Sequence, residues 1–264
     1  MLIRSMDAGS AAALDRLEAR LGAFYRDAEG YFPTGGNEPS YLAFAGLIES
    51  LLRARPSIAV LEVGAGQSDF ARWLAYRGWR ERVHYTANDL SELNRPHLDA
   101  VADRVLIGDA PALGPGGPFD LVFCCFVFEH LVRPRRFLDW AVEALTPGGY
   151  LVLVGPRYTL PFYVPPALRH LPWGTRMAVH LKALAIHWAT YFSPEPNFLV
   201  VGEPALFHRP YARDADAVHL VTRRDLVKSL EGRGRCFDLV PWRPGLKEAL
   251  RARLGLLCFA FRKG

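Results

Sequence analysis

Leu14, Leu17, Leu21 and Phe24 recur at helical spacing, with Asp15, Arg16, Glu18 and Arg20 between them. The pattern predicts an amphipathic helix over 10–26 that packs one apolar stripe on the body of the protein. Residues 30–40 (GYFPTGGNEPS) are turn-rich, and Ser40 is placed to N-cap a second helix over 41–54. From Pro56 the texture changes. SIAVLEV is a short β-branched run, residues 68–78 read as a helix, and RVHYTAN, DRVLI and FDLVFCCF read as three further strands. Residues 134–145 form another helix, with Pro134 tolerated in its first turn, and Thr146-Pro147-Gly148-Gly149 then turns the chain into YLVLVG. Strands this apolar, separated by helices, imply an α/β fold with a parallel sheet covered on both faces.

After Gly155 the alternation stops. Residues 156–218 are rich in Pro, aromatics and His and show no βα unit. The rhythm resumes at Thr222-Arg223-Arg224-Asp225, a capping-box pattern before a helix reaching Leu230. RCFDLVPW and GLLCFAFRK read as the last two strands, with 246–254 between them. The expected organisation is an N-terminal helical cap over 1–55 and an α/β domain over 56–264. Residues 156–218 are inserted after the domain's fifth strand as a substrate lid or cap, since specificity in such folds belongs to segments beyond the strand ends.

Composition narrows the class. With 264 residues, 50% hydrophobic and 22% charged, the chain is too apolar to be disordered and long enough for one large α/β domain with appended pieces. Lys and Arg outnumber Asp and Glu by 32 to 27, a mild excess that favours an anionic substrate or membrane surface. No Lys/Arg block points to nucleic acid. Cys124, Cys125, Cys236 and Cys258 form no CxxC pair and read as reduced thiols of a cytoplasmic protein. Arg4, Asp7 and Asp15 interrupt any secretory h-region, and no run of about 18 uncharged apolar residues predicts a spanning helix.

Candidate chemistry begins at Leu61-Glu62-Val63-Gly64-Ala65-Gly66-Gln67-Ser68, between a strand and a helix. Glycines there let a ligand approach the backbone, and the helix N-terminus adds N–H donors. Asp69 stands where a dinucleotide fold keeps its last glycine, and a pyrophosphate at this turn would meet a carboxylate. Asp89 ends the next strand, where it can accept from both ribose hydroxyls of a nucleoside or, alternatively, cap the residues that follow. Then come Gly108-Asp109-Ala110, Phe119-Asp120-Leu121-Val122, Glu129-His130-Leu131 and Leu145-Thr146-Pro147-Gly148-Gly149.

Over residues 58–155 this series closely resembles the class I S-adenosylmethionine-dependent methyltransferases that act on small molecules and lipids. Residues 219–262 resemble the C-terminal part of that family more loosely, whereas 1–55 and 156–218 carry none of its motifs. The resemblance implies a seven-stranded, mostly parallel Rossmann-like sheet with the last strand antiparallel, and S-adenosylmethionine as cofactor. Carried over by position, Glu62, Gly64, Ala65 and Gly66 line the methionine half of the cofactor. Asp89 takes the ribose, Leu90 lies against the adenine, Asp109 meets the adenine amino group with Ala110 beside it, and the Phe126 carbonyl meets the methionine amine. His130 is the candidate general base, an imidazole being suited to that task near neutrality; alternatively, Glu129 and His130 are structural.

The implied reaction is methylation, expected at oxygen, of a small-molecule or lipid-linked acceptor. A non-catalytic scaffold and a NAD-dependent oxidoreductase are the competing readings. No metal site is expected, His180 and His187 having no third ligand at metal spacing. Tyr25, Tyr31 and Tyr41 precede the fold in a region that covers the cofactor in relatives. Residues 177–192 (MAVHLKALAIHWATYF), apolar nearly all round a helix and accompanied by Arg169, His170, Arg176 and Lys182, suit a lid, a homodimer interface through 160–192 or a peripheral contact with the inner face of a membrane.

Overall fold

The computed structural model describes residues 2–4, 8–27, 38–160, 162–208, 214–240 and 254–264. In chain order these form β1 (Leu2–Arg4), α1 (Ala11–Asp27), α2 (Glu38–Ala54), β2 (Ile58–Val63), α3 (Phe70–Tyr76), β3 (Val83–Asp89), α4 (Arg95–Val101), β4 (Arg104–Ile107) and β5 (Phe119–Cys125). Then follow α5 (Pro134–Ala144), β6 (Leu145–Pro156), α6 (Trp173–Ala189), β7 (Leu199–Val201), β8 (His219–Leu220), α7 (Arg223–Leu230), β9 (Gly234–Asp238) and β10 (Leu256–Lys263). The chain divides into two compact units. One comprises Met1–Tyr31, Phe128–Arg135 and Pro156–Ser229; the other comprises Phe32–Val127, Arg136–Gly155 and Leu230–Gly264.

The second unit holds a seven-stranded sheet in the order β4-β3-β2-β5-β6-β10-β9. β2 pairs in parallel with β3 on one side and β5 on the other, β3 with β4 and β5 with β6, while β10 runs antiparallel to β9. This is the sheet that the family resemblance implies. Its connections run outward in opposite directions from β2, so the crevice beyond the carboxyl ends of β2 and β5 is the switch point at which open α/β sheets take ligands.

Apolar side chains of α2 and α3 cover this sheet. Tyr41, Phe44, Phe70 and Tyr85 are fully buried, with ring centroids of Tyr41 and Phe70 5.0 Å apart and those of Phe70 and Phe123 4.8 Å apart. Such pairs add about 0.5–1.5 kcal/mol beyond the area they bury. Ser40 does not cap α2. The helix starts at Glu38 and Ser40 lies buried inside its first turn, where Pro39, lacking an N–H, begins a helix without losing a bond. Asp120 is structural: it accepts from the Ala59 amide at 2.9 Å and from the Thr146 hydroxyl at 3.2 Å, and pairs with Arg55. Gly149 is required by close packing, because a Cβ there would stand 2.9 Å from the Thr146 carbonyl.

The first unit carries a small antiparallel sheet ordered β1-β7-β8, with Leu2 opposite Val201 and Leu199 opposite Leu220. Leu14, Leu17 and Leu21 of α1 pack with Ile3, Val132, Val200, Leu206 and Val218, so the predicted apolar stripe has the role its spacing implies. β7 and β8, of three and two residues, are too short to show alternation in sequence. The Thr222 cap is formed, with the Asp225 amide donating to Thr222 Oγ1 at 3.1 Å, while the Asp225 carboxylate accepts from the Thr222 hydroxyl at 2.5 Å and from the Asn197 amide at 2.7 Å. α1 belongs to this unit and α2 to the other, and 156–218 shares its unit with 128–135 rather than standing alone. Tyr31 and most of 246–254 lie outside the described residues.

Candidate active site

The loop after β2 is built from the chain's own backbone. Gly64 and Gly66 have φ of 67° and 57°, the left-handed region that L side chains avoid. A Cβ on Gly64 would come within 2.4 Å of Val127 Cγ2, so the loops following β2 and β5 meet there, at the switch point. Asp89 fixes the geometry from the end of β3. Its Oδ2 accepts from the Gly66 amide and its Oδ1 from the Ser91 amide, both at 2.8 Å, and Ala65 N donates to the Asn88 carbonyl at 2.9 Å. The carboxylate therefore starts the turn after β3, and each of its oxygens keeps a further lone pair. Leu90 follows, half-buried.

Glu62 lies beneath this loop, 1% exposed. Its Oε2 accepts from Ser68 Oγ at 2.7 Å and Tyr85 OH at 2.6 Å, and its Oε1 from Tyr41 OH at 3.5 Å. Burial lifts its carboxyl to about 7 against the pull of those hydroxyls, and burial likewise raises Tyr41 and Tyr85. His97 ties the helix start down through Nε2, 2.8 Å from the Ser68 carbonyl oxygen. These hydroxyls and His97 were not singled out in the sequence, save Tyr41. Tyr85 reads there as one more residue of a strand, and the hydroxyl shows only when the register places it over Glu62.

The remaining cofactor candidates sit at neighbouring strand ends. Asp109, following β4, pairs with Arg136 of α5 at 3.0 Å and is partly exposed, with Ala110 buried beside it. Phe126, after β5, has a φ of 58° and donates its amide to the Val154 carbonyl at 2.7 Å. A bulky residue held in that region costs of order 1–3 kcal/mol, and such strain clusters where a backbone group must point in one direction. Glu62, Gly64, Ala65, Gly66, Asp89, Asp109, Ala110 and Phe126 are thus all near the carboxyl ends of four adjacent strands.

His130 belongs to the first unit, in the 3-10 turn Phe128–His130 that follows Val127 in the chain. Its Nδ1 lies 3.1 Å from Asp216 Oδ2, which also accepts from the Tyr25 hydroxyl. Burial alone would lower the imidazole, but the Asp216 charge and hydrogen bond outweigh it and push the ring up to about 10. Asp216 thus favours the charged ring, whereas a general base acts from the neutral one. Glu129 is 1% exposed, its Oε2 lacks a hydrogen-bond partner, and burial raises it to about 7, with Asp214 and Asp216 adding to that effect and His130 opposing it.

The other histidines of the first unit have local neighbours. His180 Nε2 lies 3.1 Å from the Leu160 carbonyl oxygen, and His187 Nδ1 is 3.8 Å from Asp225. His208 stacks on His170 with centroids 4.3 Å apart. His219, fully buried between the rings of Phe128 and Phe198, is driven down to about 3 by burial and by the neighbouring His187. No three metal-ligating side chains gather among the described residues.

A family profile described as a methyltransferase domain matches residues 38–234, well over half of the chain. The chain belongs to the methyltransferase-domain family. Two curated relatives, the ubiquinone biosynthesis O-methyltransferases of Caulobacter sp. (strain K31) and Caulobacter vibrioides, are each 29% identical over 164 residues, or 58% of this chain. The chain covers 62% of their length. Among solved structures, an S-adenosylmethionine-dependent methyltransferase from Mesorhizobium loti shares the fold at a TM-score of 0.50 and 17% identity, covering 84% of this chain and 98% of that one. A nicotinamide enzyme would need the glycine that Asp69 replaces.

Proposed function

We propose that this methyltransferase moves the methyl group of S-adenosylmethionine to an oxygen of a small-molecule or lipid-linked acceptor. The observation that carries the reading is the left-handed Gly64–Gly66 turn, locked by Asp89 at the switch point of a methyltransferase-family sheet. In that site Gly64, Ala65 and Gly66 would bed the methionine half above Glu62, Asp89 the ribose and Leu90 the adenine ring. Asp109 and Ala110 would border the adenine edge, and the Phe126 carbonyl would take the methionine amine. When bound, the sulfonium supplies an activated methyl group; the protein's part is alignment and exclusion of water. Methylation at oxygen is supported by the Caulobacter relatives, both ubiquinone biosynthesis O-methyltransferases. Thermal-shift measurements test the reading: S-adenosylhomocysteine is expected to raise the melting temperature and NAD to leave it unchanged, and the reverse would sink it.

A specific observation bears on how the acceptor is met. α6 exposes Trp173, Ala178, Leu181, Ala185 and Trp188, continued by Tyr191 and Phe192, with Trp188 79% and Phe192 91% accessible. Thr175 and Lys182 are the exposed polar residues of the helix, and the Arg224 guanidinium lies 3.9 Å from the Tyr191 ring centre. An aromatic stripe with basic residues beside it supports contact with an anionic bilayer, where a lipid-linked acceptor would reside. No helix among the described residues is long and apolar enough to cross a membrane. A homodimer through 160–192 is the competing occupant.

A further inference from the structure

We infer that Ser68 and Tyr85 are positioning residues for the methyl donor, acting through the Glu62 carboxylate, and that donor binding therefore follows the ionisation of Glu62. The inference deepens the methyltransferase reading and rests on it. Its residues all belong to the second unit. Glu62 and Ser68 flank the turn that holds the left-handed Gly64 and Gly66, and the Ser68 hydroxyl donates to Glu62 Oε2 at 2.7 Å. That bond closes the turn as a clasp. The same hydroxyl accepts from the Phe70 amide at 3.1 Å, so the clasp also sets where α3 begins. Tyr85 pairs with Val60 in the register of β2 and β3. Side chains two apart on a strand share a face, so Tyr85 stands on the face that carries Glu62. Its hydroxyl reaches the same Oε2 at 2.6 Å.

The strength of this clasp depends on charge. Hydroxyl-to-carboxylate bonds of 2.6 and 2.7 Å have the short form of charge-assisted contacts, which are roughly twice as strong as those between neutral groups. The partners of Glu62 are hydroxyls rather than a cation, and burial works against the charge that those hydroxyls favour. Tyr41 of α2 faces Oε1 at 3.5 Å, and both tyrosines, raised by burial, keep their protons. Cys125 of β5 acts on Tyr41 and Arg80 on Tyr85. Asp69, next to Ser68, adds a like charge. Its Oδ1 is buried with no hydrogen-bond partner, and its Oδ2 meets the exposed Arg72 at 3.3 Å. His97 of α4 holds the Ser68 carbonyl at 2.8 Å. Burial outweighs the hydroxyls, and Glu62 titrates at about 7. Above that value the carboxylate clasps both hydroxyls and holds the turn closed. Below it the added proton makes the contacts ordinary ones, and the turn loosens.

Calorimetric titration of the full chain with S-adenosylhomocysteine, repeated from acid to mildly alkaline pH, tests the inference. Affinity should rise about tenfold as pH passes through about 7. Glu62→Gln should flatten that rise. Tyr85→Phe and Ser68→Ala each remove a donor that favours the charge, so the midpoint should move up; Asp69→Asn removes a like charge, so it should move down. Tyr85→Phe should cost about tenfold in affinity when made alone and little when added to Glu62→Gln, because it acts through that carboxylate. Circular dichroism reports that each variant is folded. Asp69→Asn leaves the hydroxyl bonds to Glu62 in place and keeps the test open where a core variant fails to fold. A rise retained in Glu62→Gln, a rise lost with His97→Asn instead, a midpoint unmoved by Asp69→Asn, or wild-type affinity flat with pH overturns the inference. A wild-type protein that binds no S-adenosylhomocysteine at any pH refutes the donor reading beneath it.

Discussion

His130 shows how a single residue changes meaning once its neighbours are known. In sequence it is a histidine after a strand; in the structure it is half of an ion pair with Asp216, a partner far along the chain that no spacing could indicate. Glu62 and Asp89, in contrast, stand inside short motifs and were legible, though the hydroxyls of Ser68 and Tyr85 on Glu62 were not. The pair makes a pH prediction. His130 is held near 10, above its ordinary 6.5, so its stabilisation is complete below 6.5 and is lost as pH rises through 10. Asp216 is held below its ordinary 3.8, burial being overcome by His130, so its contribution exists above 3.8 and is lost on acidification. Removing one partner of a buried pair costs about 3–5 kcal/mol. Urea unfolding of His130→Gln should therefore show its largest deficit against wild type between the two ordinary values, shrinking toward pH 10; a deficit that grows as pH rises above 6.5 contradicts the pairing.

At the scale of elements, α1, the β2–α3 junction and the α7 cap were readable because each is a local device: an apolar stripe, a glycine turn, a Thr–Asp box. β7 and β8 were not, since strands of three and two residues carry no period and gain their place from pairing with β1. The glycine turn predicts its own sensitivity. Gly64→Ala must hold a left-handed φ and displace Val127, a stiff side chain, so chemical denaturation should show a loss of about 2 kcal/mol or more. Stability equal to wild type would mean the loop is not held as described. α6 was read as apolar nearly all round, which suits a lid, a dimer interface or a membrane contact alike, and of its side chains only His180 and Ala183 are buried. Flotation with anionic vesicles should carry the protein upward, with binding weakened by salt and by Trp188→Ala and Phe192→Ala together. A salt-independent dimer and no flotation would assign the stripe to a second copy instead.

For the whole molecule, the seven-stranded α/β sheet was legible through the series of motifs, because a parallel α/β sheet puts every strand's carboxyl end on one edge. Loops remote in sequence must then converge, whatever their lengths. The acceptor side has no such rule. The first unit shows why such sites are hard to read: it is assembled from 1–31, 128–135 and 156–229, three stretches joined by tertiary packing alone. The central claim is that the Asp89-locked turn is the seat of S-adenosylmethionine, and calorimetric titration with S-adenosylhomocysteine tests it most directly. A buried charged hydrogen-bond partner is worth about 1.5–3 kcal/mol, so the wild-type protein should bind and Asp89→Ala should bind tenfold or more weakly. Equal affinity of the wild-type protein and a folded Asp89→Ala variant would contradict the account.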